Sequence, residues 1–496
     1  MTFNEIPQTR VPGQYSEYNT NVGERGLSAL DYKVLFIGQG TSEGTASAKS
    51  IVRVTSADKA GALFGFGSQL HLMAKSYFKN NAINQLDCIA ATMDDTESAT
   101  GKATGSIEVT GPATGSGALV VYIGGQRISV DVSSGDTADT IAAALAAEIA
   151  ANHPDLPVAV SVATDTMTLE AKNVGALGNN IDIRANYADG EGYPDGVTLT
   201  ITAMSGGGFN PDISSGTPSV IDVMGDSWWQ LISMPYTDTT NLSALETELE
   251  RRFGPTTQID GIGFMAKFDT QSNLVTFGAA RNSKQYSVAG IYKVPTTPFE
   301  VSAAIVGQVA KALAAGNGAE ARPFQSLQLI GVLAPAQADR FTFAERDALL
   351  KNGIATLKVD ASGIVRIERL ITTYQTNESG AKDTAWLDVN TRFTAMYIRY
   401  DWVTYLNTKY PNFKLASDGI RVGSGQPVIT PKTAKAEAVS RFGLWMEIAL
   451  VEDEAYFLAN LKAERDEQDP NALDWFLPCN FVNQFRVGKT QIGIIV

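Results

Sequence analysis

The chain ends in an apolar stretch, and this feature constrains its fold more than any other. Residues 485–496 have the pattern of a β-strand that continues to the last residue. Its apolar side chains are Phe485, Val487, Ile492, Ile494, Ile495 and Val496. Chain ends normally fray, because few contacts there offset the entropy lost on ordering. An apolar end therefore needs a strand partner, either in its own domain or in another molecule.

The start of the chain has a similar character. Residues 10–20 are extended and kinked by a proline, and they lack the apolar stripe of a helix. The side chains expected to make contacts there are Val11, Pro12, Tyr15 and Tyr18. Two strand-like ends favour donation to neighbouring copies, in which main-chain hydrogen bonds give affinity and alternate side chains set the register. Pairing of both ends within their own domain is an equally good interpretation, since termini often close a sheet.

The composition predicts a folded chain of several domains. The 496 residues are 44% hydrophobic and 19% charged, which suits a large core and exceeds the size of one ordinary domain. The formal net charge is -14 and no run of lysine and arginine is present, so we expect no nucleic-acid partner. No window has the roughly 18 unbroken apolar residues of a membrane span, so we expect no membrane insertion. Cys88 and Cys479 lie far apart, which fits a reducing compartment such as the cytoplasm.

Strands and helices alternate along much of the chain and predict an α/β core. Residues 32–38 form an apolar strand, and residues 69–79 form a helix with apolar side chains at helical spacing. From about residue 96 to about residue 209, short strands rich in Thr, Ser, Gly and Ala indicate a β-rich inserted domain. The α/β pattern then resumes. Strands alternating with helices of this length predict a mixed sheet that is covered on both faces.

The predicted domains follow from these changes of pattern. We expect an α/β fold (α+β overall), with a discontinuous core and a smaller α+β C-terminal domain. The expected boundaries are an N-terminal arm at 1–25, the α/β core at 26–95 and 210–364, the inserted domain at 96–209, the C-terminal domain at 365–488 and a C-terminal arm strand at 489–496.

Residues that could carry enzymatic chemistry are scarce. His71 lies among apolar neighbours on a predicted helix and His153 lies beside Pro154, so neither histidine indicates a catalytic triad. Residues 38–44 contain three glycines after a strand, but their spacing differs from that of a dinucleotide-binding loop. The sequence lacks phosphate loops, cysteine pairs and calcium loops, so we expect no catalytic residue, cofactor or metal.

An acidic segment near the C terminus is a second candidate contact surface. Residues 452–469 hold seven acids and two bases. A solvated helix face is the simplest interpretation of such a run. If the segment lines an assembly surface, its contacts would be salt-sensitive and reversible, because exposed ion pairs contribute only ~0.2–1 kcal/mol each. The candidate residues are Glu452, Asp453, Glu454, Lys462, Glu464 and Arg465.

Several segments resemble a known family. Residues 464–474 (Glu-Arg-Asp-Glu-Gln-Asp-Pro-Asn-Ala-Leu-Asp), followed by Leu477-Pro478 and residues 480–487, are similar to the C-terminal signature of contractile phage tail sheath proteins. Residues 11–17 resemble the N-terminal arm of the Mu-like group. Where this family usually has an arginine after Asp-Pro-Asn, this chain has Ala472, which leaves a local ion pair in doubt.

The resemblance implies a structural subunit without enzymatic activity. Sheath subunits stack as six-fold rings around a tail tube, and contraction drives the tube through the host envelope. In the family, the terminal arms join neighbouring C-terminal domains into shared sheets. The implied partners are further copies of the chain, the tube protein, and the baseplate and tail terminator proteins. The implied location is a phage virion tail that is assembled in the host cytoplasm.

Two alternatives remain open from the sequence. The first is a carbohydrate-binding or hydrolytic virion or surface protein, in which the insertion would be an adhesion domain and the acidic segment a substrate cleft. The second is another self-assembling shell protein. A sheath subunit would form long hollow cylinders at high concentration or salt, whereas the first alternative would stay small and bind a ligand.

Overall fold

A computed structural model describes residues 26–95, 101–315, 322–421, 423 and 425–494. Contacts divide the chain into two units. The core unit comprises Leu30–Tyr397 and the residues from Asn483 on. The C-terminal unit comprises Ile398–Val482 and the described residues up to Ala29.

The core unit begins with an apolar strand and a helix that packs on it. The first elements are β1 (Val34–Gln39), β2 (Ile51–Val54), α1 (Ala57–Phe64), α2 (Gln69–Asn80) and β3 (Leu86–Thr92). All residues of β1 are buried. Ser68 begins α2 by accepting a hydrogen bond from the backbone N–H of His71. Phe36 meets Tyr77 of α2 edge to face, with 5.4 Å between ring centroids, so strand and helix share an aromatic contact.

The inserted segment has its own sheets and its own core. Its elements are β4 (Thr104–Thr110), β5 (Gly117–Ile123), β6 (Gln126–Val132), α3 (Ala138–Asn152), β7 (Val158–Ala163), β8 (Thr166–Ala171), β9 (Ile183–Ala185) and β10 (Thr198–Ser205). Two sheets form, with strand orders β10-β4-β8-β7 and β6-β5-β9. Gly124 and Gly125 turn between β5 and β6 with φ of 55° and 79°, which glycine adopts without strain. A hydrophobic cluster that includes Ile107, Val121 and Leu145 joins the two sheets to α3.

After the insertion, helices and strands alternate again. The elements are α4 (Val220–Met224), β11 (Leu231–Ser233), α5 (Thr239–Phe253), β12 (Ile262–Phe268), α6 (Gln271–Ala279), β13 (Tyr286–Ile291), α7 (Pro298–Ala314), α8 (Phe343–Lys351), β14 (Thr356–Val359), β15 (Val365–Arg369) and α9 (Val389–Lys409). Most residues of α7 are buried, because this helix packs against α2 and against strands β11 and β12.

One six-stranded sheet organises the core unit. Its strand order is β13-β12-β11-β1-β3-β2. Neighbouring strands run parallel except β2, which pairs antiparallel with β3 at one edge. Phe36 faces α2, whereas Leu35 and Ile37 pack in a cluster with residues of α4 and α5. The predicted mixed sheet with helices on both faces is therefore confirmed.

The inserted segment contacts this sheet at the carboxyl end of β1, where the strand order changes direction. In open α/β sheets, ligands bind at the carboxyl ends of the strands beside such a point. Asn173, which follows β8, accepts a hydrogen bond from Gln69 N–H (2.8 Å) and donates one to the Gly40 carbonyl (2.8 Å). Gln39, at the end of β1, donates to the Val174 carbonyl (2.9 Å). Residues 173 and 174 of the inserted segment are therefore hydrogen-bonded to this edge of the sheet.

The boundary predicted at residues 364 and 365 falls inside a hairpin. Strands β14 and β15 pair antiparallel across it, with Leu357 opposite Ile367. The two units divide later, between Tyr397 and Ile398. The alternation of charged and apolar residues in β15 is typical of a half-buried strand. Its apolar residues Val365 and Ile367 are buried within the core unit, which explains why the division does not lie there.

The C-terminal unit is a small α+β arrangement. After α9, its elements are β16 (Lys414–Leu415), β17 (Val428–Ile429), α10 (Pro431–Glu447), β18 (Val451–Glu452), α11 (Glu454–Asn460), β19 (Lys462–Arg465), β20 (Leu473–Phe476) and β21 (Asn480–Phe481). Short pairs form: β16 with β17 in parallel, and β18 with β21 and β19 with β20 antiparallel. Phe442 of α10 stacks on Phe457 of α11, with 3.9 Å between ring centroids. Trp445, also in α10, is fully buried. These aromatic side chains build the core of the unit.

Candidate assembly surfaces

The predicted C-terminal arm strand lies in a longer stretch without secondary structure, residues 483–494, which we call the C-terminal arm from here on. It has the expected apolar side chains but no strand partner among the described residues. It has no secondary structure in the part that is described, and Ile495 lies outside that part. Among the described residues, the last main-chain hydrogen bond runs from Val482 N–H to the Leu450 carbonyl (3.1 Å). The exposed fractions are 84% for Phe485, 70% for Val487, 83% for Ile492 and 85% for Ile494. The strand predicted from the sequence is therefore not formed with any of the described residues.

The spacing of these side chains fits an extended strand with two contact faces. Phe485 and Val487 are two residues apart, as are Ile492 and Ile494, so each pair points to one face of a strand. The odd separation between the pairs places them on opposite faces of a continuous strand. A large apolar side chain contributes about 1.5–3 kcal/mol when buried. The free energy gained by burying all four side chains would therefore exceed the ~1 kcal/mol net contribution of any one main-chain hydrogen bond.

The root of the C-terminal arm is held to the core unit by Arg486. Its side chain is 9% exposed and its Nη2 donates to Asn390 Oδ1 (2.8 Å), with Asp388 Oδ1 at 3.2 Å. Asp388 also pairs with Arg369 of β15 at 2.9 Å. The sequence analysis did not single out these residues. The one signal was an arginine between two apolar residues, Phe485 and Val487.

The N-terminal arm residues Val11, Pro12, Tyr15 and Tyr18 lie outside the described residues, but the root of this arm is visible in the C-terminal unit. Ser28 N–H donates to Asp401 Oδ1 (2.8 Å), and the Tyr400 hydroxyl donates to the Ala29 carbonyl (3.0 Å). Asp401 is held in turn by Arg441 Nε (2.6 Å) and by Trp445 Nε1 (2.7 Å).

The Asp401–Arg441 pair is deeply buried, with side chains 0% and 2% exposed. A buried ion pair is stable only when its remaining donors and acceptors are satisfied. Here the indole N–H and the Ser28 amide supply two of those hydrogen bonds. Sequence reasoning missed this pair, although an aspartate between Tyr400 and Trp402 on a helix was a signal for a buried charge.

The C-terminal unit offers strand edges. The pairs β18–β21 and β19–β20 each contain two strands, and no third strand joins either pair among the described residues. An outer edge without a neighbouring strand is where a strand from another chain can add.

The acidic segment is not a single helix face. It runs through β18, α11 and β19, because Asp453 adopts a left-handed φ of 64° and caps α11 by accepting a hydrogen bond from Tyr456 N–H. The buried residues of the segment are Phe457, Leu461 and Ala463. Of the candidate contact residues, Glu452, Asp453, Glu454, Lys462 and Glu464 are exposed, and Arg465 is partly exposed. The interpretation as one solvated helix face was wrong, but the charged side chains do face solvent.

The turn after β19 closes without the arginine usual in the family. Asp466 N–H donates to the Ala472 carbonyl (3.1 Å), and Ala472 N–H donates to the Asp469 carbonyl (3.0 Å). Arg465 donates to the Pro470 carbonyl. Backbone N–H donors hold the pKa of Asp466 below its usual value. Main-chain and carboxylate hydrogen bonds therefore replace the ion pair that Ala472 put in doubt.

The residues considered for enzymatic chemistry have structural roles. The His71 Nδ1 accepts a hydrogen bond from Gly67 N–H (2.9 Å), and burial lowers its pKa to about 4. His153 ends α3. Cys88 and Cys479 are free. The described residues contain no cluster of His, Cys, Asp and Glu that could hold a metal ion, and none of their helices is long and apolar enough to span a membrane.

Comparisons with known proteins identify the family. The family model of the phage tail sheath protein central domain matches residues 206–373. Over 497 residues, covering all of both chains, this chain is 38% identical to the Mu-like prophage FluMu tail sheath protein of Haemophilus influenzae. The chain belongs to the phage tail sheath protein family. It is a structural component of a phage tail and not an enzyme, since the family is structural.

Solved structures share the sheath fold. The crystal structure of a sheath tail protein from Desulfitobacterium hafniense has a TM-score of 0.50 at 13% identity, over 95% of this chain and 97% of that chain. A sheath complex of an extracellular contractile injection system in the contracted state has a TM-score of 0.50 at 10% identity, over 99% of both chains. The family membership confirms the predicted resemblance and sets aside both the ligand-binding and the unrelated-shell alternatives.

Proposed function

We propose that this sheath subunit polymerises as stacked six-fold rings around a tail tube, and that contraction drives the tube through the host envelope. The subunits are linked by β-strand exchange of their terminal arms. The observation that carries this proposal is the exposure of Phe485, Val487, Ile492 and Ile494 on an arm without a partner strand in the described chain. Apolar residues on a strand-like segment are stable in water only when another surface covers them.

The open strand edges of the C-terminal unit supply the matching half of this exchange. Strand pairs β18–β21 and β19–β20 have no third strand among the described residues, so an arm from another copy could add at their edges. An arm with about five hydrogen bonds at ~1 kcal/mol each, together with apolar burial, would survive a rearrangement of the rings. The arms then act as hinges, which keep the subunits connected while their bodies rotate.

Contraction needs a store of free energy in the extended sheath. If each subunit buries more surface between rings in the contracted lattice, the extended lattice is a kinetically trapped state. No nucleotide or other cofactor is then required for contraction. The proposed partners are further copies of this chain, the tube protein, and the baseplate and tail terminator proteins, with assembly in the host cytoplasm.

The tube-facing surface is proposed to include Glu452, Asp453, Glu454, Lys462, Glu464 and Arg465. Their exposed charges would give weak and reversible contacts, which suit a sheath that slides along its tube. Co-sedimentation of subunits with purified tubes at increasing NaCl tests this. Binding should weaken as salt rises, since screening shortens the reach of exposed charges. Salt-independent binding would remove these residues from the tube contact.

Deletion of residues 489–496 tests the arm proposal. The described part of this segment makes no main-chain hydrogen bond with other described residues, so the truncated subunit should unfold at the wild-type temperature. It should form no sheaths in negative-stain micrographs. A matched control shortens the exposed turn at Ser379 and Gly380 in the core unit, which should leave sheath length unchanged. Normal sheaths from the truncated chain would disprove strand exchange by this arm.

A further inference from the structure

A polar clamp fixes the point at which the C-terminal arm leaves the core unit. The side chain of Arg486 is 9% exposed, although its neighbours Phe485 and Val487 are 84% and 70% exposed. Its Nη2 donates to Asn390 Oδ1 at 2.8 Å and lies 3.2 Å from Asp388 Oδ1. Arg486 is therefore the fixed residue at the root of an otherwise exposed segment.

The receiving side of the clamp is organised independently of Arg486. Asp388 accepts two hydrogen bonds from Arg369, at 3.1 Å from Nε and 2.9 Å from Nη2. Asn390, in the first turn of α9, donates to the Arg322 carbonyl at 2.6 Å. Side chains held by such neighbours keep their orientation and form a ready-made seat for the guanidinium.

The clamp is also incomplete. Nε and Nη1 of Arg486 are buried without a hydrogen-bond partner among the described residues, as is Oε1 of Gln484. Burial lowers the pKa of Arg486, and Asp388 acts in the opposite direction by favouring the charged form. Unpaired buried donors weaken a polar contact, so the docking of Arg486 depends on its bonds to Asn390 and Asp388.

We infer that Arg486 is a positioning residue for assembly. By docking on Asp388 and Asn390, it sets where and in which direction the arm projects toward a second copy of this chain. This inference rests on the proposed function, since it takes the arm to be donated. A fixed root confines the residues beyond it to a small volume and so raises their effective concentration at a neighbouring strand edge.

Pulsed electron spin distance measurements test this in the free subunit. Spin labels at Glu378→Cys and Gln491→Cys, both exposed positions, report the arm relative to the core unit in a Cys479→Ser background, since Cys88 is buried. We expect Arg486→Ala to broaden the distance distribution about twofold, because residue 486 is then no longer bound to Asn390 and Asp388 and the arm samples more positions. An unchanged width would overturn the inference, whether or not sheaths form.

The critical concentration for sheath formation provides a second readout. Arg486→Ala should raise it about tenfold, equivalent to ~1.4 kcal/mol, and Arg486→Lys should fall between, since lysine keeps the charge but not the planar fork. The matched control is Arg127→Ala, which removes an arginine whose side chain is 52% exposed and paired with Glu191. That variant should leave the critical concentration unchanged.

The two readouts separate this inference from strand exchange itself. Thermal unfolding of Arg486→Ala at the wild-type temperature would show that the fold is intact. If deletion of residues 489–496 abolishes sheaths while Arg486→Ala leaves the critical concentration unchanged, the positioning role is wrong and arm donation stands. If the deletion has no effect either, both fail.

Discussion

Strand β1 and the C-terminal arm are both apolar segments, yet they differ in what surrounds them. All residues of β1 (Val34–Gln39) are buried between α2 on one face and α4 and α5 on the other. Phe485, Val487, Ile492 and Ile494 in the arm are 70–85% exposed. The strand partners of β1 belong to the same chain, whereas the described chain supplies none for the arm.

This difference separates two tasks of the sequence. Apolar residues in β1 stabilise the subunit, and apolar residues in the arm are available to stabilise the contact between subunits. Equal substitutions in the two segments should therefore affect different measurements. Substitutions at the root of the N-terminal arm and in the core unit test whether other buried groups also stabilise the subunit.

The largest effect is expected from one substitution made in both segments. Ile37→Ala removes a side chain that is 0% exposed in β1 and should lower the free energy of unfolding by about 4 kcal/mol. Ile494→Ala removes a side chain that is 85% exposed and should change that free energy by less than about 0.5 kcal/mol. Urea unfolding of the free subunit measures both values.

Assembly should respond in the opposite way for the arm variant. Ile494→Ala should weaken sheath formation although the subunit keeps its stability. Equal destabilisation of the free subunit by Ile37→Ala and Ile494→Ala would erase the distinction between the segments.

The next largest effect is expected at the root of the N-terminal arm. Asp401→Ala removes the buried carboxylate that pairs with Arg441 and that accepts the hydrogen bond from the Ser28 amide. Breaking a buried ion pair in this way should cost about 3 kcal/mol of unfolding free energy. Differential scanning calorimetry measures the loss. The matched control is Asp347→Ala, whose partner Lys351 is 72% exposed, and it should change stability by less than about 1 kcal/mol.

An equal loss of unfolding free energy for Asp401→Ala and Asp347→Ala would mean that burial does not make the Asp401–Arg441 pair more important for stability. It would also remove the reason to regard Gly26–Ala29 as an anchored root.

A smaller effect on stability is expected from the titration of Glu300, a carboxyl group in the core unit. Glu300, in the first turn of α7, accepts a hydrogen bond from the Thr297 hydroxyl (2.6 Å), and burial raises its pKa to about 7. Its folded pKa lies above the ordinary value of 4.5, so the folded state binds the proton more tightly. Stability from this group is therefore gained as the pH falls from about 7 to about 4.5 and lost as it rises again.

Glu300→Gln removes this dependence. The variant should be more stable than the wild type by about 1–2 kcal/mol at pH 8, because it has no carboxylate to bury. This gain is smaller than the full pKa shift implies, since solvent screens the partly exposed carboxylate. It should match the wild type at pH 4. Urea unfolding across this range measures the difference, with the exposed Glu108→Gln as control. A stability difference between Glu300→Gln and the wild type that is the same at every pH would show that the pKa of Glu300 does not differ between the folded and unfolded states.

Much of the fold could be predicted from periodicity. The structure contains β1, α2 and the glycine turn between β5 and β6, as the sequence pattern predicts. These features are predictable because they depend on residues that are close together in sequence. The start of the C-terminal domain was placed too early. The pattern of β15 shows that its apolar side chains are buried but does not show which unit buries them.

The candidate site could be predicted only in part. The apolar residues of the arm were found from the residue pattern, but their 70–85% exposure was not predicted, since pairing within the chain's own domain was an equally good interpretation. The two roots were missed because their contacts join residues far apart in sequence, as with Ser28 and Asp401 or Arg486 and Asp388. The acidic segment was misread as one helix, since the left-handed residue at Asp453 leaves no signal in charge alone.

Electron cryomicroscopy of assembled sheaths tests the central claim most directly, by tracing the main chain of residues 486–494. The account predicts that the N–H and carbonyl groups of this segment pair with a strand of another copy, with Ile492 and Ile494 buried in that contact. A trace in which the segment forms hydrogen bonds only with its own chain would contradict it.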